Sequence, residues 1–249
     1  MWNTEKNKIM DVAVLVDIIK ETKSNWRFIF ESPLYDNLKF VPGQLVQLVA
    51  KPFAVSEGGE SIQRNYSVAS WPDNSNKFEL IVTYLPGGAM SEYLFNECKV
   101  GDEFAYKGPM GIFTLPENLE ERDIFFVATG SGVSPFRSML GHIANSKIPT
   151  KNIKLFFGTR TEKDIPYYEE MKNFEKQIPN FEYVPCLSRE KWEGHNGYVH
   201  TAYLPELSTM DKKPLVYYCG WDRMIREGRG YLDDLGFEMY EDIRVEIFG

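Results

Sequence analysis

Three short segments carry residue types suited to holding phosphates and a flat ring. The first is Val127 to Phe136, Val-Ala-Thr-Gly-Ser-Gly-Val-Ser-Pro-Phe. Gly130 and Gly132 permit backbone angles and close approaches that a Cβ would block, and Pro135 suits the first turn of a helix. Unpaired N–H groups and the positive end of the helix dipole then face whatever lies over the loop, which matches a phosphate. A plain tight turn is the competing reading, and Pro135 stands where the third glycine of Gly-x-Gly-x-x-Gly would be. The second segment is Arg64-Asn65-Tyr66-Ser67. Its arginine suits a bidentate grip on a pyrophosphate, its tyrosine could stack on a flat ring, and its serine could donate to a ring nitrogen. An ordinary strand with an exposed Arg and an inward Tyr explains the same residues. The third, Pro86-Gly-Gly-Ala-Met-Ser91, again puts glycines before a helix start, with Ser91 placed to cap it or to reach a phosphate. A hairpin turn with an N-cap serine is the alternative. Gly108-Pro-Met-Gly111 reads as a further glycine-containing turn.

The elements that must position these residues follow from hydrophobic periodicity. Val12–Ile18, Trp26–Phe30, Gln44–Val49, Tyr66–Ser70, Phe78–Tyr84 and Glu103–Tyr106 read as short strands bounded by Pro, Gly or Asn. One helical stretch, Met90 to Phe95, interrupts them. Short strands with regular turns and a lone helix predict a small antiparallel barrel. Composition turns polar from Pro116 to Arg122, and strand-like runs then alternate with helical ones. The strands are Ile124–Val127, Ile153–Phe157, Phe181–Leu187 and Leu215–Cys219; the helices are 136–145, 167–178, 200–207 and 222–235; Ile243–Phe248 closes the chain. Alternation of this kind predicts a doubly wound parallel sheet. The expected domains are residues 1–119 and 120–249.

Composition removes several function classes. The 249 residues are 43% hydrophobic and 26% charged, with a net charge of −8 that disfavours nucleic acid or an anionic membrane as partner. No apolar run nears the roughly 20 residues a bilayer span requires. The N-terminal Met-Trp-Asn-Thr-Glu-Lys lacks the features of a signal peptide, so the cytoplasm is the expected compartment. Cys98, Cys186 and Cys219 are too few and too scattered for an iron–sulfur cluster, and three histidines make a metal site improbable. An electron carrier in this chain would therefore be an organic cofactor.

Taken together and in order, Arg64-x-Tyr66-Ser67, Gly87-Gly88-x-x-Ser91, Gly108-Pro-x-Gly111, Thr129-Gly130-x-Gly132-x-x-Pro135 and Cys219-Gly220 ahead of Met224 resemble the ferredoxin–NADP(+) reductase family of flavoenzymes. The resemblance covers the chain from about residue 10 onward. It implies an antiparallel β-barrel that binds FAD, followed by an α/β domain for a nicotinamide nucleotide. Arg64 and Asn65 would then hold FAD, with Arg64 on its pyrophosphate. Tyr66 would stack on the isoalloxazine, and Ser67 would hydrogen-bond the flavin N5 that accepts hydride. Gly87, Gly88, Ala89, Met90 and Ser91 would cover the FAD phosphates. Thr129, Gly130, Gly132, Pro135, Gly220 and Met224 would face the nicotinamide nucleotide, with Cys219 beside its ring. A small buried residue at a strand end is the other reading of Cys219. Val245-Glu246-Ile247-Phe248 resembles the plant-type ending, which implies that Phe248 covers the flavin and Glu246 sits beside it. That group has tyrosine at this place and no residue corresponding to Gly249; an ordinary last strand is the alternative.

Arg160, Ser188, Arg189 and Tyr198 are similar to the group that gathers a 2′-phosphate, which favours NADP(H) over NAD(H). Glu190 lies next to that group, and His195 and Asn196 stand nearby in place of an obvious matching lysine. The function expected is hydride exchange between NADP(H) and flavin and single-electron exchange with ferredoxin or flavodoxin. An acidic partner would need a local basic patch, for which Lys6, Lys8, Lys20, Lys23, Arg27 and Lys39 are candidates. The competing functions are an NADH-dependent reductase component of an oxygenase and a flavin electron-transfer subunit active only in a complex. Direction, acceptor and oligomeric state are not encoded in any motif.

Overall fold

The computed structural model describes residues 10–50 and 61–248. Lys6, Lys8 and Gly249 lie outside the described residues. The chain divides into two units, up to Thr114 and from Leu115.

The first unit holds β1 (Asp11–Lys20), β2 (Asn25–Glu31), β3 (Leu45–Val49), β4 (Gln63–Ser67), β5 (Lys77–Thr83), α1 (Ala89–Asn96) and β6 (Glu103–Met110). Its strands form one antiparallel sheet in the order β4-β3-β6-β1-β2-β5. Past β4 the chain leaves β3 for β5: the Val68 N–H donates to Gln44 O, and the Ala69 N–H donates to Glu79 O at 2.8 Å. This step joins the two edge strands, as a barrel requires. Alternation fills the interior with Leu15, Phe28, Phe30, Val46, Leu48, Phe78, Leu80, Phe104 and Tyr106, and α1 adds Met90 and Leu94. Each large side chain so buried contributes about 1.5–3 kcal/mol.

Two expectations shift here. The strand carrying Tyr66 begins at Gln63, opposite Val49, and ends at Ser67 rather than running on to Ser70. Gly108-Pro109 is not a turn but a bulge inside β6, where Leu45 pairs with Met110 and Gln47 pairs with Lys107. Gly108 has φ +119°, and a Cβ there would stand 2.9 Å from Leu45 O, so the extra residue fits only without a side chain.

The second unit alternates β7 (Ile124–Thr129), α2 (Ser134–Ser146), β8 (Ile153–Thr159), α3 (Tyr168–Gln177), β9 (Phe181–Leu187), the short β10 (His195–Asn196), α4 (His200–Leu207), β11 (Leu215–Trp221), α5 (Asp222–Asp234) and β12 (Ile243–Phe248). All pairings are parallel, in the order β10-β9-β8-β7-β11-β12. Helices cover both faces. Phe126 stacks on Phe136 of α2 at 4.5 Å, while Phe125 and Val127 pack with Tyr203 of α4 and Ile225 of α5. This explains why Ile124 to Ala128 is apolar without alternation. The buried Arg137 of α2 grips Glu170 of α3 with two hydrogen bonds, of 2.7 and 3.1 Å, and lies 4.4 Å over the Tyr167 ring. His200 Nδ1, Tyr203 OH and Tyr218 OH form a buried chain of 2.7 and 2.8 Å that ties α4 to β11.

At the N-terminal edge of the sheet Arg122 clamps three strand approaches. It donates to Lys213 O, Pro214 O and Glu241 O and pairs with Asp242. Burial by itself would raise the Asp242 carboxyl. Hydrogen bonds from Arg122 and the Glu238 amide, with the charges of Arg122 and Lys213, outweigh it and hold the group below its ordinary value. A depressed carboxylate stabilises the fold above its unfolded pKa, and that stability is lost as pH falls through the folded value. Asp242→Asn is therefore expected to cost about 2 kcal/mol at pH 7. It should also flatten the fall in urea midpoint that the parent chain shows below about pH 4. Equal acid dependence in both proteins would contradict this role.

Candidate functional site

Parallel strands place all their C-terminal ends on one edge, and the crevice opens where the winding direction reverses. Here the chain builds outward from β7 through β8 and β9 to β10, then returns to β11 on the other side of β7. The reversal lies between β7 and β11, at Thr129 and Cys219-Gly220. The sequence-selected loop thus sits at the switch point of the sheet.

Contact across this crevice is between backbones. Gly130 to Val133 forms a 3₁₀ turn leading directly into α2, whose first turn holds Pro135. A Cβ on Gly132 would strike the Cys219 carbonyl and come within 2.7 Å of Gly220 Cα. Gly220, at φ +139°, leaves no room for one either, with Thr129 O 2.7 Å from the Cβ position. Thr129 Oγ1 accepts the Trp221 N–H at 3.1 Å. The loop after β7 and the end of β11 are therefore locked together. The Ser134 hydroxyl turns inward to Ser131 O, and α2 has no side-chain cap, so the loop presents backbone to a guest.

Cys219 is fully buried, and burial, with the Glu246 carboxylate adding to it, pushes its thiol well above the ordinary range. Glu246 pairs with it in register on β12, and Phe248 pairs with Trp221. The Phe248 side chain lies outside the described residues. Met224 belongs to the core between β11 and α5.

A second group gathers further along the same edge. The Ser188 N–H and hydroxyl both donate to Thr159 O, at 3.0 and 3.1 Å, and the Arg189 N–H donates to Arg160 O at 3.0 Å. The Gly197 N–H donates to Leu187 O, which brings Tyr198 alongside; its ring is 74% exposed. A bracket that sequence reasoning missed supports it: His195 Nε2 meets Thr201 Oγ1 at 2.8 Å, and that hydroxyl donates to Tyr198 O at 2.7 Å. The spacing of a histidine and a threonine around the Gly197 turn was its only signal.

In the barrel unit, alternation sets Arg64 and Tyr66 on one face of β4 and Asn65 and Ser67 on the other. Arg64 is exposed, its one hydrogen bond going to Gln63 O at 2.7 Å. Tyr66 is half-buried against the barrel core. Burial pushes its phenol above the usual range, with the Arg64 guanidinium pulling weakly the other way. Asn65 Oδ1 accepts from Gln47, and Ser67 is buried. Before α1, Gly87 takes φ +76° with open space where a Cβ would lie, and Gly88 is the N-cap residue. Ser91 neither caps α1 nor faces outward. Its hydroxyl donates to Leu85 O and Gly88 O and accepts from the Leu85 N–H, so it closes the turn that shapes the glycine loop. Met90 is in the barrel core, which leaves only its backbone, and that of Ala89, to the loop.

Most of the other arginines are paired with acids; among the described residues Arg229 and Arg244 are not, but both are partly buried, and Arg244 is held by the Tyr240 and Ile243 carbonyls. Arg27, Arg122, Arg137, Arg223 and Arg226 each pair with a carboxylate. Among the described residues, no acid pairs with Arg64, Arg160 or Arg189. The Glu190 carboxylate accepts the Glu162 N–H at 2.8 Å and pairs with neither Arg160 nor Arg189. Three solvent-facing guanidiniums without acids, two glycine loops at helix starts and a half-buried tyrosine fit phosphate-bearing cofactors with flat rings. Of the basic-patch candidates, Arg27 pairs with Glu79 and Glu21 and Lys20 lies over the Trp26 ring, while Lys6 and Lys8 lie outside the described residues.

Comparison with known proteins supports this geometry. The model of the oxidoreductase FAD-binding domain matches residues 13–115, and that of the oxidoreductase NAD-binding domain matches residues 126–229. Ferredoxin–NADP reductase B of Sorangium cellulosum is 39% identical over 194 residues, 75% of this chain and 76% of that protein. The chain belongs to the ferredoxin–NADP reductase family. Another relative, the electron transfer component of anthranilate 1,2-dioxygenase from Acinetobacter baylyi, is 31% identical over 92% of this chain. The chain spans 64% of that relative's length. Among solved structures, a ferredoxin NADP+ reductase from Neisseria gonorrhoeae with bound FAD and NADP superposes with a TM-score of 0.78 at 21% identity, covering 97% of this chain and 99% of that one. Family membership assigns FAD to the barrel unit and a nicotinamide nucleotide to the parallel-sheet unit.

No helix among the described residues is long and apolar enough to cross a membrane. The interlock makes a direct prediction. Gly132→Ala should destabilise the parallel-sheet unit by about 1–3 kcal/mol, the cost of overpacking a site that cannot relax. Urea denaturation would measure it, and a midpoint equal to the parent's would show that the two strand ends are not in tight contact.

Proposed function

We propose that this chain is an FAD-dependent oxidoreductase that exchanges hydride with NADP(H) and single electrons with ferredoxin or flavodoxin. Bound FAD supplies the coupling of two-electron to one-electron chemistry. The chain's residues bind and align the reactants. Arg64, Asn65 and the Gly87–Ser91 loop hold FAD, with the Ser91 hydroxyl acting through the loop it closes. Tyr66 stacks on the isoalloxazine, and Ser67 sits at the edge that accepts hydride. Gly130, Gly132 and the α2 start cradle the nucleotide pyrophosphate. Thr129, Gly220, Pro135 and Met224 support that cradle, with Cys219 and Glu246 beneath the nicotinamide end and Phe248 covering the flavin. The 1–119 and 120–249 domains of the sequence reading serve these two tasks.

The observation that carries the choice of NADP(H) is the pair Arg160 and Arg189, joined through their backbones and without an acid partner, beside Ser188 and Tyr198. A fork of this kind matches a 2′-phosphate, whereas selection of a 2′-hydroxyl calls for a carboxylate, and Glu190 is committed to Glu162. A second reading, an NADH-using reductase component of an oxygenase, is favoured by the dioxygenase relative, which aligns over 92% of this chain.

Steady-state kinetics with an artificial dye separates the two. NADPH is expected to exceed NADH in kcat/KM by at least roughly tenfold, and Arg189→Ala to remove about tenfold of the NADPH value while leaving NADH within about twofold. A parent enzyme that prefers NADH would establish the second reading. Ser67→Ala is expected to slow flavin reduction in stopped-flow by roughly 10–100-fold, the size of a misaligned hydride path; an unchanged rate would remove Ser67 from the reaction.

A further inference from the structure

Tyr198 provides a stacking surface at one end of the ligand edge. The other end carries an exposed aromatic that the motifs do not use. Trp221 ends β11, directly after Gly220, and is 55% exposed. Its backbone is fixed: Thr129 Oγ1 holds its N–H, and the Cys219-Gly220 peptide rests on Gly132. The side chain is therefore carried on a held backbone, directly after the residue that meets the phosphate loop.

Trp26 and Trp192 are committed elsewhere. Trp26 stacks on Phe95 at 4.4 Å beneath Lys20, and Trp192 Nε1 donates to His195 O. The Trp221 indole has neither a ring contact nor a hydrogen bond among the described residues. Single exposed apolar side chains are common on protein surfaces; what marks Trp221 is its place, directly after Gly220 at the switch point, on a backbone hydrogen-bonded to Thr129.

Strand order states which part of the ligand that is. Tyr198 follows β10 and Trp221 closes β11, four strand spacings or roughly 19 Å apart, with the Gly130–Gly132 loop on β7 between them, next to β11. A dinucleotide whose pyrophosphate sits on that loop and whose adenine reaches Tyr198 must direct its other half past β11. We propose that the Trp221 indole is the stacking platform for the nicotinamide half of the bound dinucleotide. The inference rests on the nucleotide reading of the switch point. An oxidised nicotinamide is a cation, and an indole face is the best of the aromatic partners for one.

Isothermal titration of the FAD-loaded protein tests this with NADP+ and with adenosine 2′,5′-bisphosphate, which lacks the nicotinamide half. Trp221→Ala is expected to weaken NADP+ binding roughly five- to tenfold while leaving the bisphosphate within about twofold, and Trp221→Phe to restore most of the loss. Trp221→Leu, which keeps apolar bulk without a flat ring, should behave like the alanine variant and replaces it should that fold poorly. Tyr198→Ala should weaken both ligands. An unchanged NADP+ affinity in Trp221→Ala, or an equal loss for both ligands, would overturn the inference. A parent protein that binds neither NADP+ nor NAD+ would instead overturn the nucleotide reading. Should the parent prefer NAD+, the same comparison is made with NAD+ and ADP.

Discussion

The absence of two side chains, at Gly132 and Gly220, is the constraint on which the nucleotide edge depends. Any Cβ at either position would meet backbone, at the Cys219 carbonyl or at Thr129, and backbone in the centre of a six-stranded parallel sheet cannot move aside. The close approach lets the β7 loop, the α2 start and the end of β11 act as one rigid surface. Rigidity matters because phosphate recognition by backbone amides works only when the amides already point the right way.

Around that surface the protein separates charges that stabilise the fold from charges kept for ligands. Arg122 and Arg137 are surrounded by acceptors and hold strands and helices together. Arg64, Arg160 and Arg189 have solvent around them and no acid partner among the described residues. An unpaired guanidinium at the surface costs little when empty and makes strong bidentate contacts once a phosphate arrives. Serine hydroxyls show the reverse division. Ser91, Ser134 and Ser188 all turn inward to backbone carbonyls, shaping loops rather than reaching out.

Much of this was legible in the chain. The apolar Ile124–Ala128 run, the Gly130-x-Gly132 loop and the periodic helix after it told of a buried strand entering a phosphate-ready turn, because those signals are local. β4 was misplaced by three residues at each end: its start depends on pairing with Val49, and its end on the crossing from Gln44 to Glu79. Gly108-Pro109 passed for a turn because a bulge and a turn use the same residues; only the Leu45 to Met110 pairing tells them apart. Ser91 passed for a cap because its competing acceptors, Leu85 O and Gly88 O, are set by how the loop folds.

The sequence by itself determined the two architectures, the order of motifs and the family, since each follows from residue type and spacing along the chain. Tertiary structure decided which of those residues meet. It set β11 beside β7, so that Cys219-Gly220 closes the Gly132 loop although nearly ninety residues separate them. It tied Glu190 to Glu162 and left Arg189 unpaired, and it put Trp221 at the rim of the crevice. The physical reason is that strand order is chosen by burial across the whole sheet, and no local window of sequence carries that information.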